Sequence, residues 1–592
     1  MESAKTSKHS TSILTRLSRG IVNFVKKPKL LFWLFIVLNL VPNFCLLFTE
    51  PLSVIGKIIL IMVPLSIYMI VLSLFKRAGL MQLILIPVLI LHAFQLVLFY
   101  LFGESVIAVD MFLNLPTTNA SEAGELLGNI WPSIIIVCVL YIPVITLASI
   151  AVHHKVVRTI AFRRRMITWG IVLLIIGSGL TAYEKRRDNT YEVKIDIYPA
   201  NVMYNFYYAW GKWNRSMNYP VTSKDFTFHA TRDTAHDRRE IYVLVVGEAS
   251  RAENWNLWGY ERETNPKLKD ESNLVLYKDA ITQSNTTHKS VPLILSAADA
   301  CHYERLYTQK SIITAFKEVG FKTVFLSNQV PNRSFTDYFG EEADYYINIR
   351  PTEDGGLITI NNYDGEMLPF MKHYIDSLTN DNLLIVFHTY GSHFNYKERY
   401  PEPFVHFTPA NATEIEYKNK DQLVNAYDNS IRYTDNFLHN VIEILRNSGS
   451  DATMLYSPDH GEDLLDDSRK RFLHASPIPT YYQLHIPMMI WFSDNYIESR
   501  PNLYQIARYN SNAPVATNHI FHTMLNLAEI KTSHFEPDLS LVNPVFKRQP
   551  RMYLGDHDNP INYYEVGLKK QDKEMVKRRG MDHTVESTTC QN

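Results

Sequence analysis

Five apolar segments, each long enough to cross a bilayer core of about 30 Å, lie in the first third of the chain. The remaining two thirds contain only short apolar runs. This pattern predicts a membrane part followed by a separately folded domain. The predicted spans are Leu31–Thr49, Ile58–Phe75, Ala78–Phe102, Ile130–Val152 and Met166–Tyr183.

Charged residues around these spans predict their orientation. Lys and Arg are concentrated before the first span, after the second and after the fourth, whereas residues 103–129 contain four acidic residues and no Lys or Arg. The basic loops are therefore predicted to be cytoplasmic. Five crossings from a cytoplasmic N-terminus place everything after Tyr183 outside the cytoplasm. The first span is too long for a cleavable signal peptide, and no small-x-small cleavage site follows it.

Composition excludes several classes of protein. Residues 1–183 carry 15 Lys and Arg against 6 Asp and Glu, and the other 409 residues carry 44 against 54. Neither part is a basic soluble domain, so a nucleic-acid partner is not expected. A hydrophobic content of 46% with 23 glycines excludes disorder and fibrous repeats. Four cysteines are too few for a disulfide framework.

The spans are better interpreted as an anchor than as a transporter. Transporters and proton relays place ionisable groups near the middle of the membrane. Only His92 lies deep within a predicted span, and a single histidine there is more typical of helix packing. An anchor with a lipid-facing groove remains compatible with this pattern.

Short apolar runs alternate with helical patterns after an aromatic connecting region, Asp196–Trp213. Runs that are apolar on both faces are typical of buried parallel strands, and their alternation with helices predicts an α/β domain with a mostly parallel sheet. The predicted strands are Ile241–Val246, Lys322–Ser327, Leu383–His388, Ala452–Ser457 and Pro487–Phe492, and the predicted helices are Ser311–Val319, Asp364–Ser377 and Lys420–Arg446.

Carboxylates and imidazoles stand where these strands end. Ligands bind beyond the carboxyl ends of parallel strands, so these side chains should meet at one edge. Any one of them could be an ordinary surface-loop residue. Together they indicate a site for Zn²⁺ or Mn²⁺, because oxygen ligands with imidazoles suit these ions. The residues are Glu248, Asn328, His388, His393, Asp459, His460 and Glu462.

A hydroxyl-rich turn, residues 282–292, leads into the apolar run Leu293–Ala297. The pattern predicts a helix N-terminus, where free N–H groups favour a bound phosphate. A hydroxyl placed there could act as a nucleophile. The alternative is that these hydroxyls are helix N-caps.

Several motifs resemble the bacterial phosphoethanolamine transferases. They are Val246–Arg251, Gly259–Pro266, Thr287 five residues before Pro292, Gly391–His393 and Ser457–Glu462. The resemblance implies five transmembrane helices joined to a periplasmic domain of the alkaline-phosphatase/sulfatase superfamily. The family includes enzymes that modify lipid A and give polymyxin resistance, and enzymes that modify core sugars. The stretch Phe387–Pro401 is more similar to the core-modifying branch.

The resemblance also implies roles for individual residues. Glu248, Thr287, Asp459 and His460 match zinc ligands, and Thr287 is also the nucleophile. His393 and His474 match residues that face the substrate phosphate or a second zinc. Glu462 and Asn328 match residues that line the same pocket.

Two departures accompany the resemblance. Gln283 and Leu293 stand where family members often have a disulfide around the nucleophile loop. Ser290–Ile294 has no Arg where a sulfatase nucleophile motif requires one, which excludes sulfatase activity.

The function implied is transfer of phosphoethanolamine from phosphatidylethanolamine to lipopolysaccharide, on a lipid A phosphate or a core sugar, through a covalent intermediate on Thr287. The protein would be a multi-pass protein of the bacterial inner membrane with a periplasmic catalytic domain. Alternatives are a phosphoglycerol transferase, a phosphodiesterase of the same superfamily, and a non-catalytic envelope scaffold.

Four regions are predicted along the chain. They are a transmembrane domain (1–183), a connecting region (184–236), a catalytic domain (237–545) and a C-terminal extension (546–592). From about Lys569 the extension is predicted to be solvated, because it is basic and has few apolar residues.

Overall fold

The computed structural model describes residues 19–103, 105–117, 120–233, 236–350, 362–583 and 590. The chain divides into two units. The N-terminal unit comprises Met1–Ala108 and Asn129–Tyr208, and the C-terminal unit comprises Val109–Gly128 and Ala209–Asn592. The C-terminal unit thus includes a segment that lies between two predicted spans. The domain limits predicted at residues 183, 236 and 545 stay predictions.

Within the described residues, four helical segments are long and apolar enough to span a membrane: Pro28–Thr49, Val54–Ser73, Asn129–His153 and Ile160–Arg187. The predicted span Ala78–Phe102 is divided near Pro87, which lacks the N–H that would continue a helix, and leaves an apolar helix of 17 residues. The helices up to residue 222 are α1 (Pro28–Asn39), α2 (Val41–Thr49), α3 (Val54–Ser73), α4 (Leu80–Ile84), α5 (Ile86–Phe102), α6 (Val109–Thr117), α7 (Ala120–His153), α8 (Ile160–Arg187), α9 (Val193–Asp196), α10 (Ala200–Met217) and α11 (Tyr219–Thr222).

Close packing holds the N-terminal unit together. A Cβ at Gly170 of α8 would lie 2.7 Å from Ile70 Cγ1 of α3, so the two helices approach as closely as glycine permits. His92 Nδ1 lies 2.7 Å from the Tyr198 hydroxyl and its Nε2 lies 3.2 Å from the Tyr68 hydroxyl. Both ring nitrogens therefore have partners, which confirms the interpretation of His92 as a packing residue.

The described strands of the C-terminal unit are β1 (Glu240–Gly247), β2 (Leu274–Tyr277), β3 (Ala280–Ile281), β4 (Lys322–Ser327), β5 (Tyr345–Asn348), β6 (Leu383–His388), β7 (Asp451–Pro458), β8 (Asp463–Leu464), β9 (Phe472–Leu473), β10 (Met488–Phe492), β11 (Val515–Ala516), β12 (Met552–Leu554) and β13 (Pro560–Asn562). Seven of them form one sheet in the order β2-β10-β7-β1-β6-β4-β5. Strand β10 runs antiparallel to both its neighbours, and the other pairs are parallel.

All five predicted strands are present, and the mostly parallel α/β fold is confirmed. The sequence analysis does not predict strands β2 and β5, because each has only four residues and β5 is not an uninterrupted apolar run. Both lie at the edges of the sheet. Edge strands are covered less completely and so carry a weaker apolar signal.

Both faces of the sheet are covered, as the continuous apolar strands indicate. Alternate residues of β1 enter opposite cores: Tyr242 and Leu244 pack in one, and Val243 and Val245 in the other. The helices of the C-terminal unit after α11 are α12 (Thr287–Leu295), α13 (Ile312–Glu318), α14 (Phe335–Glu341), α15 (Leu368–Ser377), α16 (Lys420–Asn447), α17 (Tyr481–Leu484), α18 (Asp494–Ser499), α19 (Pro501–Asn510), α20 (His519–Leu527) and α21 (Lys570–Arg578).

The prediction of a solvated tail is wrong for the described residues up to 583. Val576 and Met581 are buried in an apolar cluster with Tyr481. Asp572 is completely buried and accepts hydrogen bonds from both terminal nitrogens of Arg469, at 2.6 and 2.8 Å. The tail is polar because one face of α21 is exposed, with Lys570, Lys573, Lys577 and Arg578 on the surface, while Asp572 is paired in the interior. Composition alone cannot distinguish paired charges from solvated ones.

One disulfide is present in the described structure. Cys301 and Cys590 are joined across 289 residues of sequence, with their Cα atoms 5.9 Å apart. Cys45 and Cys138 are the free cysteines of the described chain. The cysteines thus form a single link and no framework.

Candidate active site

The register of the sheet brings the predicted ligands to one edge. Val246 of β1 is paired with His388 of β6 on one side and with Ser457 of β7 on the other. The Asp459 N–H donates to the Gly247 carbonyl at 3.0 Å, just beyond the paired strands. Glu248 and Asp459 therefore leave neighbouring strands at the same level.

Four side chains that are far apart in sequence meet at this edge. His460 Nε2 lies 3.3 Å from Thr287 Oγ1, 3.4 Å from Glu248 Oε1 and 3.3 Å from Asp459 Oδ2. Thr287 Oγ1 lies 3.3 Å from Glu248 Oε1. Glu248, Asp459 and His460 are at most 1% exposed. The structure thus brings together all four residues that the resemblance implies as zinc ligands.

The spacing of these atoms fits a zinc ion. Zinc bonds to nitrogen and oxygen of about 2.0–2.1 Å in tetrahedral geometry imply ligand atoms about 3.3 Å apart. The four separations above have this length. Two carboxylate oxygens, one imidazole nitrogen and one hydroxyl are also donors that zinc accepts.

Backbone hydrogen bonds orient the ligand atoms. Asp459 Oδ1 accepts from the backbone N–H groups of Ala249 (3.1 Å) and His460 (2.8 Å), which leaves Oδ2 toward the centre. His460 Nδ1 lies 2.8 Å from the Gly461 carbonyl and must donate to it, so Nε2 carries the lone pair that a metal requires. Burial lowers the pKa of His460, which favours this neutral form.

A glycine allows the backbone to approach Glu248. Gly391 has φ +47°, and a Cβ there would lie 2.7 Å from the Glu248 carbonyl oxygen. The next residue, Ser392, donates its N–H to that oxygen at 3.0 Å. This is a physical reason for the Gly391–His393 motif at the end of β6.

Thr287 is the first residue of α12, as the hydroxyl-rich pattern predicts. Thr286 occupies the N-cap position, but within the described residues it makes no side-chain cap hydrogen bond. Its hydroxyl instead lies 3.1 Å from Ser284 Oγ, and the Ser290 hydroxyl donates to the Thr286 carbonyl at 2.9 Å. The N-cap alternative therefore does not account for these hydroxyls.

His474 and Glu462 form a second group beside the first. His474 Nδ1 lies 2.9 Å from Glu462 Oε2, and the Tyr396 hydroxyl donates to Glu462 Oε1 at 2.8 Å. The His474 and His460 ring centroids are 4.0 Å apart. Ligand atoms of His460, Glu462 and His474 lie within 4.8 Å of one another, which is close enough to hold a metal ion.

Burial sets the protonation of this pair. It raises the pKa of Glu462 to about 8 and lowers the pKa of His474 to about 4. Both shifts favour an uncharged pair in which the Glu462 carboxyl donates to Nδ1. His474 then carries its own proton on Nε2.

His393 is positioned in a similar way by its neighbours. Its Nδ1 donates to the Phe394 carbonyl at 2.6 Å, and its ring stacks on Tyr390 with centroids 5.1 Å apart. Burial, together with the positive charge of Arg399, holds the pKa of His393 well below its usual range. The neutral ring thus leaves Nε2 as its remaining polar atom.

A pocket opens on these groups and is lined by Glu248, Thr287, His393 and His474. Asn328 is not among the lining residues. It is fully buried, and its amide donates to Asp364 Oδ1 at 2.8 Å. The next residue, Gln329, lines the pocket instead and donates to Glu248 Oε2 at 3.2 Å.

Three pocket residues have no role implied by the resemblance. Gln329 follows Asn328 at the end of β4, and its position at that strand end is its signal in the sequence. His388 is among the strand-end residues that indicate a metal site; it is 5% exposed, and its Nε2 has no hydrogen-bond partner among the described residues. Asn114 of α6 lines the same pocket. No local pattern links residue 114 to a site formed by residues 248–475.

Comparison with known proteins finds relatives of this chain. A family model described as Sulfatase matches residues 240–530. The phosphoethanolamine transferase EptA of Escherichia coli (strain K12) is 29% identical over 395 residues, which cover 64% of this chain and 70% of that protein.

Two solved structures are similar in fold. The integral membrane protein lipooligosaccharide phosphoethanolamine transferase A of Neisseria meningitidis is 22% identical, with a TM-score of 0.67 over 88% of this chain and 99% of that one. The periplasmic domain of Escherichia coli EptC, in complex with Zn, is 26% identical, with a TM-score of 0.51 over 58% of this chain and 97% of that one. Residues 240–530 thus match the sulfatase family model, and the chain is similar to proteins named phosphoethanolamine transferases.

Proposed function

We propose that this protein transfers phosphoethanolamine from phosphatidylethanolamine to lipopolysaccharide, with Thr287 as the nucleophile and zinc held by Glu248, Thr287, Asp459 and His460. The observation that carries the proposal is the set of four donor atoms at 3.3–3.4 Å, with the Thr287 hydroxyl among them. When bound, zinc would lower the pKa of that hydroxyl and offset negative charge on the phosphoryl oxygens.

In the first step, Thr287 Oγ1 attacks the phosphorus of the donor lipid. The hydroxyl can give its proton to Glu248 Oε2, the carboxylate oxygen outside the proposed ligand set, which lies 3.5 Å from Oγ1. A bond forms between Oγ1 and phosphorus, and the bond from phosphorus to the glycerol oxygen breaks. Diacylglycerol leaves, and phosphoethanolamine stays on Thr287.

The leaving glycerol oxygen needs a proton, and His474 can supply it from Nε2. The hydrogen bond with Glu462 holds the ring and favours the tautomer with the proton on that atom. As Nε2 gives up its proton, Nδ1 takes the proton of the Glu462 carboxyl, so the ring stays neutral. His393 presents a second neutral imidazole, whose Nε2 can bind a phosphoryl oxygen or assist the acceptor.

In the second step, an oxygen of lipopolysaccharide attacks the phosphorus and displaces Thr287 Oγ1, which takes its proton back from Glu248. The acceptor is a lipid A phosphate or a sugar hydroxyl of the core. His474 Nε2 can take the acceptor's proton while Nδ1 returns its proton to Glu462, so both residues regain their starting states. Both substrates are lipids, so anchoring in the bacterial inner membrane with the site in the periplasm confines the search to one surface.

The test is to trap the intermediate on the full chain in detergent. With a headgroup-labelled donor and no acceptor, mass spectrometry should locate phosphoethanolamine on Thr287. Thr287→Ala should lose the adduct and the release of diacylglycerol while its thermal unfolding stays close to wild type, because only one part-buried hydroxyl and one methyl group are removed.

Thr286→Ala is the matched control, since it removes the same groups one residue away. It should retain the adduct and most of the transfer, because its hydroxyl contacts Ser284 and not the ligand atoms. An adduct mapped to Thr286, Ser284 or Ser290 would contradict the assignment of the nucleophile. Release of free phosphoethanolamine without any adduct would favour a hydrolase.

A further inference from the structure

A buried ion pair lies close to the candidate nucleophile, at the first turn of the same helix. Lys289, two residues after Thr287, is completely buried, and its Nζ lies 2.7 Å from Asp110 Oδ2. The other oxygen of Asp110 lies 3.2 Å from His288 Nε2. One carboxylate therefore contacts both residues that follow Thr287 in the first turn of α12.

The carboxylate comes from a distant part of the sequence. Asp110 lies in α6, in the stretch between the third and fourth predicted spans, yet α6 belongs to the C-terminal unit. The Asp110 side chain is 14% exposed, and its backbone N–H donates to Asp556 Oδ1 at 3.2 Å. Both its backbone and its side chain are thus held by this unit.

Lys289 has few other ways to balance its charge. Its Nζ donates to the Gly555 carbonyl at 3.1 Å, and Asp558 Oδ1 is 4.0 Å away. Asp558 is itself paired with Lys212 at 2.5 Å. Asp110 is therefore the carboxylate closest to the ammonium group, and a buried charge that loses its partner is strongly unfavourable.

We propose that Asp110 is a positioning residue for the transfer reaction: by pairing with Lys289 and His288 it sets the position of the first turn of α12, and with it Thr287 Oγ1. The inference rests on the proposed role of Thr287. Two of the four distances at the ligand set, from Thr287 Oγ1 to Glu248 Oε1 and to His460 Nε2, depend on where this turn begins, and small displacements of a reacting group are costly to the rate.

The test uses the full chain in detergent with long-chain phosphatidylethanolamine as the probe. The variants are Asp110→Asn, Lys289→Met, the double variant and Asp110→Glu. Each charge-removing single variant should lower kcat on the order of 10- to 100-fold, with KM for the donor within about threefold of wild type. The double variant should recover part of the loss, since no unpaired charge remains, and Asp110→Glu should keep most of the rate.

The matched control is the exposed ion pair Lys372–Asp376, whose side chains are 65% and 59% exposed. Lys372→Met and Asp376→Asn make the same chemical changes at a surface site and should leave kcat at the wild-type value. Exposed pairs contribute little to stability.

Hydrogen exchange gives a readout that does not depend on transfer. In Asp110→Asn, exchange in residues 286–292 should rise while exchange in the strands of the main sheet stays at the wild-type rate. If the wild type itself shows no transfer, the proposed function is contradicted. A rise in exchange confined to residues 286–292 of Asp110→Asn would still support the role of Asp110 in positioning this turn.

Three results would overturn the inference. They are a wild-type kcat with wild-type exchange in Asp110→Asn, additive losses in the double variant, and a rise in exchange across the whole sheet, which would mean a general loss of stability.

Discussion

Gln329 shows how much of the candidate site depends on side chains that would not bind the metal. Its amide donates to Glu248 Oε2 at 3.2 Å and to the Thr389 carbonyl at 3.0 Å. The first bond orients a proposed ligand, and the second fixes the amide to the end of β6. Glu248 Oε1 is then the oxygen that faces Thr287 and His460.

We predict that Gln329→Ala weakens zinc binding by about 10- to 100-fold, the usual effect of removing a residue that orients a metal ligand. Titration of the metal-free protein with zinc, followed by calorimetry, measures this affinity. Gln505→Ala, at an exposed position on α19, should bind zinc as the wild type does. An unchanged affinity in Gln329→Ala would mean that Glu248 is oriented by other contacts.

The C-terminal extension, predicted at residues 546–592 and expected to be solvated from about Lys569, is the element that differs most from its prediction. The Leu554 N–H of β12 donates to the Gln283 carbonyl at 2.8 Å, and the Tyr553 hydroxyl donates to Asn285 Oδ1 at 2.7 Å. Both acceptors lie in the turn that leads to Thr287. The turn is thus supported by non-covalent contacts at Gln283, where the resemblance implies that relatives often have a disulfide.

Farther along, α21 is docked through Glu253. This carboxylate accepts hydrogen bonds from the Tyr481 hydroxyl at 2.5 Å and from Arg579, and it lies 3.0 Å from His485 Nδ1. Burial acts to raise the pKa of Glu253, but His485, Tyr481 and Arg579 outweigh it and hold the pKa at about 2.

We predict that Glu253→Gln lowers the unfolding temperature near pH 7, and that the difference from wild type narrows in acid. Because the folded-state pKa lies below the usual 4.5, the stabilisation is present above pH 4.5 and is lost as the pH falls through about 2. The shift corresponds to roughly 3 kcal/mol at neutral pH. Thermal unfolding between pH 3 and pH 7 measures the difference.

The control for this prediction is Glu574→Gln, which removes a charge from an exposed side chain of the same helix, 3.8 Å from Lys570. It should unfold at the wild-type temperature at every pH. A constant difference between Glu253→Gln and wild type across the pH range would show that ionisation of Glu253 does not stabilise the fold.

For the molecule as a whole, we predict that the fold of the C-terminal unit does not depend on the candidate metal. The seven-stranded sheet has an apolar core on each face, and the ligand side chains extend from its edge. Domains that fold only with zinc lack such a core.

Removal of zinc with a chelator should therefore abolish transfer and the adduct on Thr287 while the far-ultraviolet circular dichroism is unchanged. Added zinc should restore transfer. A loss of helical and strand signal on chelation would contradict this separation of fold from chemistry.

Much of this architecture could be predicted from local patterns. The spans follow from apolar runs, and the five predicted strands follow from residues that are apolar on both faces. Glu248, Asp459 and His460 could be selected because they stand at strand ends, and all parallel strands end on the same edge. Thr287 could not be selected in this way, since hydroxyls are common in helix N-caps; the resemblance to the transferases singled it out.

The contacts between distant segments could not be predicted, because nothing in a local pattern records them. Asp110 lies 179 residues from Lys289 in sequence, and Asp572 lies 103 residues from Arg469. A charged residue has the same local signature whether it is solvated or paired in the interior. Apolar periodicity reflects burial against any partner, so it identifies helices and strands, whereas the choice of an ionic partner depends on where the folded chain brings two segments together.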